Sequence, residues 1–189
     1  MKKQLLHSGW QLTTVGKNDT IPATVPGSVY NDLLNAGRME DPYWRDNEMK
    51  ALALMDEDYR YNTTFDVNAD VLNSERVLLR CEGLDTIADI VLNGDKIASV
   101  CNMHRTWEFD VKYSLKTTGN TLEIVFRSPT KYIKEQDKIC HAGGSGDAMV
   151  GFPNLRKAHC MFGWDWGPRL PDAGLWRPVK LLGIEKARV

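Results

Sequence analysis

No stretch of this sequence stays apolar for the roughly 20 residues that a bilayer-spanning helix needs, so no membrane partner is expected. The N-terminus starts basic, but neither an apolar core nor a cleavage site follows, so it does not read as a signal peptide. A cytoplasmic location is therefore expected. Charge of one sign is also missing. The 24 Lys and Arg residues stand against 25 Asp and Glu, for a formal net charge of -1. Such a weak field gives nucleic acid no general attraction. Metal-binding patterns are absent as well: there is no Cys-x-x-Cys and no His-x-x-x-His. Cys140-His141 and His159-Cys160 are lone pairs, so no metal is expected. With no export signal, Cys81, Cys101, Cys140 and Cys160 are expected as free thiols. The glycine-rich run from His141 to Ala148 has no Gly-Lys-Ser/Thr after it and no strand before it. It reads as a mobile loop rather than a phosphate cradle.

What the sequence does have is a 189-residue chain, long enough for one domain with a substantial core. Hydrophobic residues make up 42% and charged residues 26%, ordinary values for a globular protein. Gly9 to Leu12 reads as a short opening strand. Ser28 is a good N-cap for a helix over Val29–Ala36, and Gly37 suits its left-handed end. A weaker helix is expected from the turn at Asp41-Pro42 through about Met55. From Asp58 the period changes to two: Tyr59, Tyr61, Thr63 and Phe65 alternate with polar residues. Arg76–Cys81, Thr86–Leu92, Lys96–Val100, Trp107–Val111, Thr121–Arg127 and Trp176–Ile184 follow as strands. Asn93-Gly94 is the hairpin signal. Lys131–Lys138 reads as a short charged helix. Many short strands with close turns indicate an all-β sandwich, with short helical excursions near the N-terminus.

The densest chemistry lies between Arg156 and Pro178, which holds three of the six tryptophans. In Phe162-Gly163-Trp164-Asp165-Trp166-Gly167-Pro168, two flat rings flank one carboxylate. Glycine and proline predict a shaped loop rather than a strand. Two readings stand. Aromatic faces and an acceptor carboxylate suit the C–H faces and hydroxyls of a sugar. Alternatively, the tryptophans form an apolar plug at the domain edge and Asp165 bonds turn amides. For Asn102-Met103-His104-Arg105, the loop-shaping role is favoured over an acid or hydroxyl donor, although His104 and Arg105 are candidates to line a cleft.

This tryptophan run, with Gly174-Leu175-Trp176-Arg177-Pro178, resembles the motif that closes the N-terminal domain of β-mannosidases in glycoside hydrolase family 2. Pro26-Gly27-Ser28-Val29, Asp41-Pro42-Tyr43, Asn47-Glu48, Glu82-Gly83-Leu84-Asp85-Thr86 and Asn102-Met103-His104-Arg105 add to the resemblance, which runs from about Gly9 to Pro178. It implies a jelly-roll sandwich of the galactose-binding type, with residues 1–189 as one N-terminal sugar-binding domain. It implies hydrolysis of terminal β-D-mannosides with retention, by two glutamates on a downstream (β/α)₈ barrel, and no cofactor. None of the acids here is then a catalyst; Glu82 and Asp85 read as strand-end and turn residues. Trp164 and Asp165 are the implied sugar contacts, on a β-mannoside or mannooligosaccharide. Trp166 is the expected anchor of the loop and a possible cleft wall. The competing functions are a stand-alone carbohydrate-binding module and a sandwich that only braces the barrel.

Overall fold

The structure, a computed structural model, describes residues 1–187. The chain opens with strands β1 (Lys2–Leu5), β2 (Gln11–Thr14) and β3 (Thr20–Pro22), then helices α1 (Val29–Asn35) and α2 (Asn47–Leu54). Next come β4 (Tyr59–Phe65), a single helical turn α3 (Ala69–Leu72), β5 (Arg76–Cys81), β6 (Ile87–Leu92), β7 (Asp95–Cys101), β8 (Trp107–Asp110) and β9 (Asn120–Phe126). The longest helix, α4 (Pro129–Ile139), leads into an irregular stretch, and β10 (Phe162–Trp164), β11 (Gly167–Arg169) and β12 (Val179–Ile184) finish the chain.

Two antiparallel sheets face each other. One is ordered β1-β12-β5-β8 and the other β3-β2-β4-β9-β6-β7. This is the expected sandwich, with helices added at its margins. The period-two reading explains why the sheets close. Along β9, Leu122, Ile124 and Phe126 point inward, and along β4 so do Tyr59, Tyr61 and Thr63. Full burial of each large apolar side chain stabilises by about 1.5–3 kcal/mol. Tyr61 meets Phe126 edge-on at 5.8 Å and Trp10 at 6.5 Å. At the β6–β7 turn, Asn93 and Gly94 both have positive φ, the geometry for which Asn-Gly is favoured.

Two expectations shift at the N-terminus. The first strand is Lys2–Leu5, which pairs with β12, and the segment after Gly9 starts only at Gln11. Gly9 has φ of 72° and so turns the chain ahead of the strand. Lys2–Leu5 is half-exposed at a sheet edge, with three polar residues and an outward Leu5, and so lacks the apolar alternation that marks the central strands. Of the helices, α1 begins at Ser28 and ends at Ala36 before Gly37, as expected. The charged segment around Lys131–Lys138 is indeed helical, capped by Ser128.

The helices are tied to the core in sequence. Asp32 is buried in α1 and accepts the Tyr61 hydroxyl at 2.9 Å and the Thr24 N–H at 2.9 Å. The Tyr30 hydroxyl donates to the Ala51 carbonyl in α2 at 2.8 Å. The end of α2 is gripped in turn: Ser128 and Thr130 hydroxyls both reach the Met55 carbonyl. A second, smaller core of Ile133, Ala148, Phe152, Leu155 and Phe162 forms beside α4. It seats the end of the glycine-rich loop, where Met149 N–H bonds the Phe162 carbonyl at 3.0 Å.

Candidate functional site

The tryptophan run is a hairpin, not an irregular loop. β10 pairs with β11 through Phe162↔Arg169 and Trp164↔Gly167, leaving Asp165 and Trp166 at the tip. Pro168 sits in a two-stranded ribbon that has no interior strand, the setting in which a strand can hold a proline. Gly163 adopts φ of 96°, a region closed to most side chains. Phe162 anchors the base in the second core. Beyond it the hairpin leaves the protein: Trp164 is 44% exposed and Trp166 80% exposed. Their rings lie 5.4 Å apart at 47°. Asp165 is exposed and makes no hydrogen bond among the described residues. The plug reading therefore fails within this domain. The rings are not buried in it, and Asp165 bonds no turn amide.

One flank of the hairpin walls a cleft of about 450 Å³. Pro168 and Met161 stand on one side, with Tyr30, Pro42, Tyr43 and Asp172 across from them. A neighbouring cleft of about 380 Å³ is lined by Ser28, Asp85, Met103, Met161, Asp172 and Trp176. The structure brings Trp164, Asp165 and Trp166 together at the tip, outside both clefts. His104 and Arg105 lie elsewhere. The His104 N–H bonds Asn102 Oδ1 at 2.9 Å, and the ring borders a separate hollow with Arg156 and His159. The Arg105 guanidinium stacks on Trp107 at 4.4 Å. Of that motif, Met103 lines the second cleft and His104 the separate hollow of about 390 Å³.

Gly83, Asp85 and Gly174 meet at a buried ion pair that the sequence reading did not identify. Lys157 has a side chain 0% exposed, ion-paired with Asp85, and its Nζ donates to the Asp172 carbonyl at 2.6 Å. Asp85, read from the sequence as a turn residue, is part of a β-bridge to Gly174. It is buried, takes the Thr86 hydroxyl on its other oxygen, and exchanges two backbone hydrogen bonds with Gly174. Gly83 makes room for this junction. A Cβ there would lie 2.6 Å from Trp176 Nε1 and 2.8 Å from Arg177 Cβ. Glu82 ends its strand as expected, paired with Arg80 and Lys180. Among the described residues no group of three His, Cys, Asp or Glu is placed to hold a metal. The four cysteines are unpaired, and burial pushes the Cys81 thiol up to about 12.

Asp172 joins the junction to α1. Its carboxyl accepts the Tyr30 N–H at 3.0 Å and the Ala173 N–H at 2.7 Å. Burial outweighs these bonds and raises its pKa from 3.8 to about 6. Between those values the folded chain holds a proton that the unfolded chain has released. This contribution to stability is full below about pH 4, falls as pH rises to 6, and is constant above. Urea midpoints from pH 4 to 8 should therefore show Asp172→Asn gaining on wild type by about 2 kcal/mol across that window. Parallel curves would place the titration elsewhere.

Comparison with known proteins agrees with this geometry. Residues 10–177 match a family described as glycosyl hydrolase 2 galactose-binding domain-like. The chain is 32% identical to a Bos taurus β-mannosidase over 186 residues, covering 93% of this chain and 21% of that protein. It is 35% identical to β-mannosidase A of Emericella nidulans, covering 94% and 19%. The crystal structure of a Dictyoglomus thermophilum β-D-mannosidase superposes with a TM-score of 0.94 at 38% identity, over all of this chain and 23% of that one. An exo-chitosanase of Amycolatopsis orientalis shares the fold at 18% identity and a TM-score of 0.69. The chain thus spans about a fifth of the curated relatives it matches. A β-sandwich matched over residues 10–177 places the chain in the glycosyl hydrolase 2 galactose-binding domain-like family.

Proposed function

We propose that this chain is the N-terminal sugar-binding domain of a retaining β-mannosidase that removes terminal β-D-mannose. Its hairpin supplies Trp164 and Asp165 to the subsite of the non-reducing mannose. The observation that carries this reading is an exposed carboxylate with no partner among the described residues, flanked by two exposed indoles on a braced arm. Such a group is free to accept sugar hydroxyls, and a ring beside it offers a flat apolar face. The likeness to proteins named β-mannosidase supports the choice of sugar.

The hydrolysis itself belongs to a barrel beyond this domain. Retaining hydrolases need two carboxyl groups about 5–5.5 Å apart, one as acid/base and one as nucleophile. Glu82 and Asp85 serve the fold instead: Glu82 pairs with Arg80 and Lys180, and Asp85 is buried against Lys157. A second role is favoured by Tyr43, exposed in the cleft beside the hairpin flank, and by exposed Trp44 next to it in the chain. An apolar surface there suits packing against the barrel, so the domain would also brace it. Free thiols suit a reducing compartment, and we place the protein in the cytoplasm. No helix of the structure is long and apolar enough to cross a membrane among the described residues.

The test joins and separates the parts. A polypeptide carrying this domain and its barrel should release mannose from an aryl β-mannoside, with NMR showing the β-anomer first. The 189-residue chain alone should show no turnover, and no heat of binding with millimolar mannobiose. Micromolar affinity of the isolated chain would instead make it a self-sufficient carbohydrate-binding module.

A further inference from the structure

Besides the apolar seat of Phe162 and the Met149 N–H on its carbonyl, the hairpin is tied down on its other strand by two residues far apart in the chain. Glu48 lies in the first turn of α2. One of its carboxylate oxygens accepts both the backbone N–H of Arg169, at 3.1 Å, and the Arg169 Nε–H, at 2.6 Å. To reach it, the Arg169 stem crosses Gly163 so closely that any Cβ there would lie 2.4 Å from Arg169 Cγ. The guanidinium then meets Met49 Sδ at 3.8 Å. A carboxylate that takes the strand edge and the side chain of one residue fixes both the position and the roll of that strand. An exposed ion pair contributes little, but this one is half-buried, charge-assisted and includes a backbone donor. Its support also runs inward without a break. α2 is bonded to α1 through Tyr30, and α1 to the sheet through Asp32 and Tyr61.

We propose that Glu48 is a positioning residue. Through Arg169 it sets the angle at which the hairpin presents Trp164 and Asp165, three residues or more from the grip itself. The inference rests on the reading of those two side chains as sugar contacts, and it extends that reading to a residue that touches no sugar.

Two measurements test it. Hydrogen exchange of the 189-residue chain should show amides 162–169 exchanging about tenfold faster in Glu48→Ala, with β4 and β9 unchanged. Glu48→Gln keeps an acceptor oxygen and should fall between that variant and wild type. In the polypeptide with its barrel, Glu48→Ala should lower kcat/KM for an aryl β-mannoside by about threefold to tenfold, and this loss should vanish in an Asp165→Ala background. Unchanged exchange in the hairpin would overturn the proposal. So would a kinetic loss that persists in full without Asp165. A silent Asp165→Ala would sink the sugar reading alone, and the exchange data would then decide the clamp.

Discussion

Replacing Lys157 with methionine is expected to lower the unfolding free energy by roughly 3–5 kcal/mol, the largest loss from any single substitution considered. Methionine nearly matches the lysine stem in length and volume, so the change leaves little void. What it removes is the only cation facing the buried Asp85 carboxylate among the described residues. The Thr86 hydroxyl remains on one carboxylate oxygen, but a hydroxyl does not balance a charge out of water. The Asp172 carbonyl loses its 2.6 Å donor as well. The pair itself contributes little net stability. Burial lowers the Lys157 pKa and the attraction of Asp85 opposes that shift, so the two effects largely offset each other. The asymmetry is the point: making the pair gains little, while breaking one half leaves a charge stranded. Domains of this size are stable by only about 5–15 kcal/mol, so the variant should sit near the folding threshold at 37 °C. The double variant Lys157→Met with Asp85→Asn should regain more than half of the loss in urea denaturation at pH 7. A double variant no better than Lys157→Met would show that the buried charge is not the cause. A single variant within 1 kcal/mol of wild type would mean the pair is wetter than its geometry indicates.

How much of this was legible in the sequence depends on the distance over which each interaction acts. The strands of the core announce themselves because alternation is local: Tyr59, Tyr61 and Thr63 carry their own evidence, as do Asn93-Gly94 and the Ser28 cap. The hairpin at Phe162–Arg169 was misread because proline argues against an interior strand, and nothing local says that a strand will have no second neighbour. Lys157 looks like any surface lysine. Its partner lies 72 residues away, and no period links them. The same holds for Glu48 and Arg169, which are 121 residues apart. Family likeness marked Asp85, Asn47-Glu48 and Gly83 without saying what they do. The structure separates them into a buried junction around Lys157 and a grip on the hairpin. It leaves the tip as the one part of the motif that holds nothing else in place. That division matters for mutation. A change in the junction should act on stability and a change at the tip on sugar, although the two groups are interleaved in one sequence motif.

Asp165→Ala tests the tip alone. It should reduce kcat/KM for an aryl β-mannoside by at least about tenfold, since a charged hydrogen bond to a sugar hydroxyl contributes about 1.5–3 kcal/mol. The melting temperature should not move, because the side chain is exposed and bonds nothing among the described residues. That pairing of outcomes is what makes the variant decisive. A residue that merely shaped the turn would lose stability together with activity, and one that faced bulk solvent would lose neither. Asp165→Asn keeps an acceptor oxygen in the same place and gives up the charge, so its loss should be smaller. The split between constants adds a second reading. If Asp165 holds the hydroxyl equally well throughout the reaction, KM rises and kcat stays; if the bond tightens as the ring flattens toward the oxocarbenium ion, kcat falls. The second is expected. Once the tip is enclosed in the mannose subsite, the carboxylate would lose its water and interact more strongly with positive charge developing on the sugar ring. Full wild-type kinetics in Asp165→Ala, with the polypeptide intact and active, would remove the hairpin tip from the mannose subsite and leave the domain as a brace.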